Sequence, residues 1–211
     1  LEEISKVAMV GAGTMGAGMA MCFAQAGYEV ALYSRTAAGL DRALIRIRNS
    51  QAVWVQEGLI SATAAEEALA RISTTTDPQQ AIQEAGFVLE SVPEDLALKQ
   101  ALFRQLEQDC APDAILATNT SGLSITAIAS VCEHPERVVG MHWANPPEIV
   151  PLVEVIYGHQ TSDATATTVY SIAEKLDKVP VLIRKEVPGF ASNRLQYALL
   201  REALHLVAEG V

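Results

Sequence analysis

Cysteine is scarce and unpatterned in this 211-residue chain. There are three, Cys22, Cys110 and Cys132, an odd number with no C-x-x-C spacing. That excludes a disulfide framework and a cysteine-based metal site, and it predicts free thiols in a reducing, cytoplasmic compartment. Basic residues are also in deficit: 15 Lys and Arg against 25 Asp and Glu leave a net charge of −10. A surface that acidic repels phosphate backbones, so nucleic acid is not an expected partner. No apolar run approaches the ~18 residues of a membrane-spanning helix, so a membrane is not an expected partner either. The first residues, with Glu2 and Glu3, lack the basic start of a secretory signal. Internal repeats and low-complexity tracts are missing. Charged residues make up only 19%, but half the chain is hydrophobic and the mean hydropathy is +0.20, which excludes disorder.

What is present is an alternation of apolar runs and helical periods, the pattern of a parallel sheet flanked by helices. Strands are expected at Lys6–Val10, Glu29–Tyr33, Phe87–Ser91, Ile115–Thr118, Arg137–His142, Leu152–Ile156 and Val179–Arg184. Several are near-continuously apolar, as strands buried on both faces are. Roughly fifty residues separate the second of these strands from the third, far more than a usual crossover. Two helical patterns lie there. Leu40, Leu44, Ile47 and Val55 share one face of the first. Ser61 caps the second, which runs through Ala64, Ala68 and Ile72. The segment Gly189–Glu209 reads as one long helix opening after Pro188. Its apolar positions, among them Leu195, Tyr197, Leu199 and Leu204, cover more than one side, which calls for a second domain or subunit around it.

The first strand runs at once into Gly11-Ala12-Gly13-Thr14-Met15-Gly16, a G-x-G-x-x-G between a strand and a helix. Gly11 suits the tight turn, Gly13 a close approach of backbone to pyrophosphate, and Gly16 close packing of helix on strand. The N–H groups and positive dipole end of the helix then face the phosphates. With Thr14 and Met15, these residues are the expected dinucleotide loop. The second strand of such a unit normally ends in an acid that binds the adenosine ribose. Here Ser34 stands at that place, 18 residues beyond Gly16 (34 − 16), followed by Arg35. NAD is the expected cofactor. NADP stays open, because the missing carboxylate no longer repels a 2′-phosphate and Arg35 can pair with one. The plainer alternative is an exposed Arg35 beside a Ser34 that bonds a ribose hydroxyl.

A nicotinamide enzyme oxidising an alcohol needs a base for the hydroxyl proton and donors for the oxyanion. Candidate groups fall near strand ends, where open α/β sheets bind ligands. They are Asn119-Thr120-Ser121, His142-Trp143-Ala144-Asn145-Pro146, Glu154 in Leu-Val-Glu-Val-Ile, and Asn193 beyond Pro-Gly-Phe. Glu154 in an apolar strand is costly to bury without a partner, which favours pairing. Ser124 is a better helix cap than Ser121, which frees Ser121 for another task. His134, His159 and His205 carry no motif and read as surface residues.

Taken in order, Val-Gly-Ala-Gly-Thr-Met-Gly, Val-Pro-Glu-Asp, Asn-Thr-Ser-Gly-Leu, Gly-Met-His-Trp-Ala-Asn-Pro, Pro-Leu-Val-Glu-Val-Ile and Val-Pro-Gly-Phe resemble the NAD-binding portion of the 3-hydroxyacyl-CoA dehydrogenase family, nearly end to end. The resemblance implies a Rossmann-type, doubly wound, mostly parallel α/β sheet with a helical hairpin inserted after the second strand. It divides the chain into an NAD(P)-binding domain at 1–187 and, at 188–211, the first helix of an all-α domain that is otherwise absent. An intact member is then longer and a homodimer, and the chain by itself is expected to bind dinucleotide but turn over poorly.

The resemblance also implies roles. His142 is the base, Glu154 orients its imidazole, and Ser121 and Asn193 hold the substrate oxygen. Asn145 supports the His142 loop or the nicotinamide side, while Glu94, Lys99 and Asn119 lie near the nicotinamide and its ribose. The hairpin reaches toward coenzyme A and carries Arg42, Arg46 and Arg48, of which Arg42 and Arg46, i and i+4 on one helical face, either meet a phosphate or form a solvated face. The implied reaction moves a hydride between NAD(P) and a 3-hydroxyacyl-CoA. Trp143-Ala144 in place of the usual Phe-Phe, and Pro147-Glu148-Ile149-Val150 after Asn-Pro, leave a second substrate class open: free hydroxy acids of the sugar-acid or carnitine type. A non-catalytic dinucleotide-binding protein, as lens proteins of this family type suggest, is the alternative of a different kind. The intact Ser121, His142, Glu154 and Asn193 argue against it.

Overall fold

A computed structural model describes residues 4–211, so Glu2 and Glu3, which bear on the leader expectation, lie outside the described residues. In chain order the elements are β1 (Lys6–Val10), α1 (Thr14–Gln25), β2 (Glu29–Tyr33), α2 (Ala37–Gln56), α3 (Ala62–Ala70), β3 (Ile72–Thr75), α4 (Pro78–Ile82), β4 (Phe87–Glu90), α5 (Leu96–Asp109), β5 (Ile115–Thr118), α6 (Ile125–Ala129), β6 (Val138–Trp143), β7 (Leu152–Ile156), α7 (Asp163–Lys175), β8 (Val179–Ile183) and α8 (Ser192–Ala208). The strands make one sheet in the order β3-β2-β1-β4-β5-β6-β7-β8. Pairing is parallel from β3 to β6, antiparallel between β6 and β7, and parallel again between β7 and β8.

The order reverses at β1, whose neighbours are β2 on one side and β4 on the other. The loops leaving β1 and β4 therefore diverge to opposite faces and open a crevice between them, where such sheets bind ligands. Two apolar layers fill the space between sheet and helices. One packs α1, α2 and α7 on one face, with Phe23 touching Tyr28, Phe87 and Trp143 at ring-centroid distances of 5.5, 5.8 and 6.2 Å. The other packs α4, α5 and α6 on the opposite face around Phe103, Leu116 and Ile128. Helix α1 lies under the sheet centre, and every residue from Gly16 to Ala24 is buried, which explains its lack of a polar stripe.

Most expected elements form with ends shifted by a residue or so. Ser61 and Ser124 cap α3 and α6 as anticipated, accepting N–H bonds from Ala64 and Ala127. One reading is corrected. Ile72 does not continue α3, which stops at Ala70; it opens β3, paired parallel to β2. Ile-Ser-Thr-Thr is a short, half-polar edge strand, and its one apolar residue falls in step with the preceding helical period. The last helix starts at Ser192, three residues past the expected Gly189, because Gly189 (φ +77°) and Phe190 (φ +50°) turn the chain first. No side chain of α8 is buried, and Leu195, Leu199 and Leu204 are exposed.

Candidate active site

The crevice at the end of β1 and β4 holds a cavity of about 740 Å³. It is lined by Val10 to Met15, by Tyr33, Ser34 and Arg35 from the end of β2, and by Ser91 to Glu94, Leu98, Leu102, Asn119 and Ser121 on the far side. The glycines of the loop divide their work by position. A Cβ on Gly11 (φ +116°) would meet the Ser91 carbonyl oxygen at 2.5 Å, so only glycine lets the two loops pass. A Cβ on Gly16 would strike the Gly11 carbonyl oxygen at 1.8 Å. A Cβ on Gly13 meets nothing within 4 Å and would project into open space instead. Gly13 is also the N-cap of α1 and gives it no side-chain bond, and the first turn carries no acid. The N–H groups of that turn are left for an anion, and the bare Gly13 lets it come close. These features fit a dinucleotide pyrophosphate.

A second cavity, about 620 Å³, adjoins the first and shares Thr14, Met15, Asn119 and Ser121 with it. Its remaining walls are His142 to Asn145, Leu152, Ser192, Asn193 and Gln196. At its floor, His142 and Glu154 sit opposite each other in the β6–β7 ladder, with Nδ1 2.8 Å from Oε2. Both side chains are buried. Burial alone would raise the Glu154 pKa. The bonds from His142, the Ser192 hydroxyl and the Ser192 and Ala191 N–H groups outweigh it and hold the pKa at about 2. Glu154 is therefore an anion that accepts four bonds, the hydroxyl at 2.6 Å and the two N–H groups at 2.8 and 2.9 Å among them. An anion at Nδ1 keeps the ring proton there and leaves Nε2 as the basic nitrogen on the cavity side. Phe190 covers the imidazole at a ring-centroid distance of 5.6 Å.

The other expected residues divide into two groups. Ser121, Asn145 and Asn193 line the second cavity, and Asn193 Nδ2 donates to the Ser121 carbonyl at 2.9 Å, tying the last helix to the β5–α6 loop. Asn119 lies where the cavities meet; its Oδ1 accepts the Trp143 N–H at 2.9 Å and thereby steadies the strand that carries His142. Glu94 lines the first cavity and accepts the Thr120 hydroxyl and the Ser121 and Gly122 N–H groups. Lys99 is not on either lining. It is buried, with Nζ 2.5 Å from Glu90 Oε1 and 3.7 Å from Glu94 Oε2. Arg42, Arg46 and Arg48 are exposed on α2, as are His134, His159 and His205 elsewhere.

Two residues escaped the sequence reading. Glu90 fell inside the expected strand Phe87–Ser91 and drew no role, yet it is fully buried and binds Lys99, the Thr118 hydroxyl and the Val92 N–H. A carboxylate in an apolar strand was the available signal, the same one that marks Glu154. Ser192 carried no signal, since its role depends on the turn at Gly189. Burial raises the thiols of Cys22, Cys110 and Cys132 to about 11, 12 and 11, so none is a thiolate nucleophile at neutral pH. Among the described residues no cluster of His, Cys, Asp and Glu is placed to hold a metal ion, and no helix is long and apolar enough to cross a membrane.

Comparison with known proteins gives a consistent answer. A family model described as "3-hydroxyacyl-CoA dehydrogenase, NAD binding domain" matches residues 6–187. A 3-hydroxybutyryl-CoA dehydrogenase of Clostridioides difficile is 39% identical over 98% of this chain and 73% of its own length. A 5-formyl-3-hydroxy-2-methylpyridine 4-carboxylate 5-dehydrogenase of Mesorhizobium japonicum is 38% identical over 99% of the chain and 66% of its own length. The crystal structure of a 3-hydroxybutyryl-CoA dehydrogenase from Escherichia coli superposes with a TM-score of 0.94 at 38% identity, over 99% of this chain and 44% of that one. The chain thus spans between under half and about three quarters of the length of these relatives.

Proposed function

The chain belongs to the 3-hydroxyacyl-CoA dehydrogenase family, through its NAD-binding domain, and from that premise we propose that it serves the NAD-linked oxidation of 3-hydroxyacyl-CoA esters. The observation that carries this reading is the buried His142–Glu154 pair on the floor of a cavity that is continuous with the dinucleotide cleft. NAD, when bound, supplies the acceptor for the hydride that leaves the alcohol carbon. Gly11 to Gly16 would hold its pyrophosphate, and Glu94, Asn119 and Asn145 would flank the nicotinamide end. Lys99 acts through Glu94.

His142 Nε2 takes the hydroxyl proton of the substrate. Glu154, already an anion, stabilises the imidazolium as it forms, without changing its own charge. The Ser121 hydroxyl donates to the substrate oxygen as charge builds there, and Asn193, whose amide is tied to the Ser121 carbonyl, has a second amide hydrogen to offer the same oxygen. In the reverse direction His142 returns the proton to the 3-oxo oxygen.

The choice of a thioester over a free acid rests on the lining of the second cavity. It holds no Lys or Arg among the described residues, so a carboxylate next to the reacting carbon would lie there unpaired, whereas a neutral thioester carbonyl needs only a donor. Residues 188–211 are read as the first helix of a helical domain, a reading supported by the uncovered Leu195, Leu199 and Leu204 of α8. The test is NADH oxidation with acetoacetyl-CoA set beside acetoacetate and 3-dehydrocarnitine. Turnover of the thioester alone is expected. Turnover of the free acids alone, or of the free acids as fast as the thioester, overturns the assignment.

A further inference from the structure

We propose that the adenosine end of the cleft also takes a 2′-phosphate, so that the protein uses NADP(H) as well as NAD(H). This rests on the reading of the cleft as the dinucleotide site.

The argument begins with what surrounds the end of β2. Selectivity for a free ribose comes from a carboxylate that accepts its hydroxyls and repels a phosphate dianion. Here the β2 end of the cavity is lined by Tyr33, Ser34 and Arg35 and contains no carboxylate. Among the described residues the only acid on the lining is Glu94, beyond β4 on the far wall. Its Oε1 accepts Thr120, Ser121 and Gly122, and its Oε2 lies 3.7 Å from Lys99, so it projects no free charge toward β2. Helix α2 adds no repulsion: Thr36 caps it, its first turn has no acid, and its first carboxylate is Asp41.

The β2 end also offers attraction. Arg35 is exposed at the rim, and its guanidinium has the fork geometry that pairs with a phosphate monoester. Ser34 is half-buried, with its hydroxyl directed at the first turn of α2. A Cβ on Gly39 would come within 2.5 Å of that oxygen and 3.1 Å of Thr36 Oγ1. A glycine at 39 thus keeps two hydroxyls and the start of α2 close together beside Arg35. In a chain of net charge −10, this is a small positive spot at the place where a 2′-phosphate would lie.

Fluorescence titration of the full chain with NADH and NADPH tests the proposal, with AMP and adenosine 2′,5′-bisphosphate as probes of the adenosine end alone. The expected result is a Kd for NADPH within about tenfold of that for NADH. The bisphosphate should bind more tightly than AMP, and its advantage should shrink in high salt. Arg35→Ala should remove that advantage. Ser34→Asp should weaken NADPH by about tenfold or more relative to NADH, by like-charge repulsion. A wild-type Kd for NADPH more than about a hundredfold above that for NADH overturns the proposal and leaves the NAD site standing. So does a bisphosphate no tighter than AMP. Failure of both NADH and AMP to bind removes the dinucleotide site itself.

Discussion

His142 and Glu154 are direct partners across the antiparallel β6–β7 pair, and their side chains meet at 2.8 Å, Nδ1 to Oε2. The eleven residues between them (143–153) are spent on the return from β6 to β7, which places a base and its carboxylate side by side on one face of the sheet. The single antiparallel step in the sheet is therefore the step that assembles the dyad. The turn before α8 completes it by bringing the Ala191 and Ser192 N–H groups onto the carboxylate.

Removing the anion should slow proton removal. Glu154→Gln is expected to lower kcat by less than His142→Gln does, because the base stays in place while the imidazolium that forms on it is less stabilised. A Glu154→Gln protein with the wild-type kcat contradicts a working pair.

Glu154 should also matter to acid stability. Its pKa lies at about 2 in the fold against an ordinary 4.5, so the carboxylate's contribution is complete above pH 4.5 and is lost as pH falls through about 2. The difference is worth about 3 kcal/mol. Urea unfolding measured along a falling pH series should show a flatter decline in Glu154→Gln than in wild type. Parallel declines would mean that the carboxylate is not held as an anion.

The glycine loop yields a pair of contrasting variants. Gly13→Val has room and an extended backbone, so the fold should keep its Tm while NADH binds about tenfold or more weakly, because the side chain fills the phosphate cradle. Gly16→Ala drives a methyl into the Gly11 carbonyl oxygen, so it should lower Tm as well. Thermal melts beside NADH titrations separate the two. Equal loss of Tm in both would show that the open space at Gly13 is structural.

The Glu90–Lys99 pair is buried on both sides and stands behind the loop that carries Ser121. Lys99→Met leaves the Glu90 carboxylate uncompensated and should cost about 3–5 kcal/mol in urea unfolding. The double variant Glu90→Gln, Lys99→Met should recover part of that loss. A single variant as stable as wild type would show that the pair adds nothing.

The sheet was legible because its central strands are continuous apolar runs, and the glycine loop because its spacing is a mechanical requirement of one turn. The site was legible as parts: His142 and Glu154 each stood out by chemistry, and the family resemblance named their partners. What the sequence hid is where competing periods or distant contacts decide. Ile72 continued a helical pattern and became an edge strand through its pairing with β2. The resemblance put Lys99 near the nicotinamide, yet its ammonium is drawn inward by Glu90, nine residues back (99 − 90). Ser192 reaches Glu154 only because Gly189 and Phe190 adopt positive φ, a feature with no local spacing to announce it.

The central claim is that His142 is the base of a dehydrogenase acting on a thioester. Steady-state NADH oxidation with acetoacetyl-CoA, run on wild type and His142→Gln with NADH affinity measured in parallel, tests it most directly. The account predicts a kcat lower by about a thousandfold in the variant, with the Kd for NADH little changed. A variant that keeps its turnover, or one that loses turnover only because it no longer binds NADH, would contradict it.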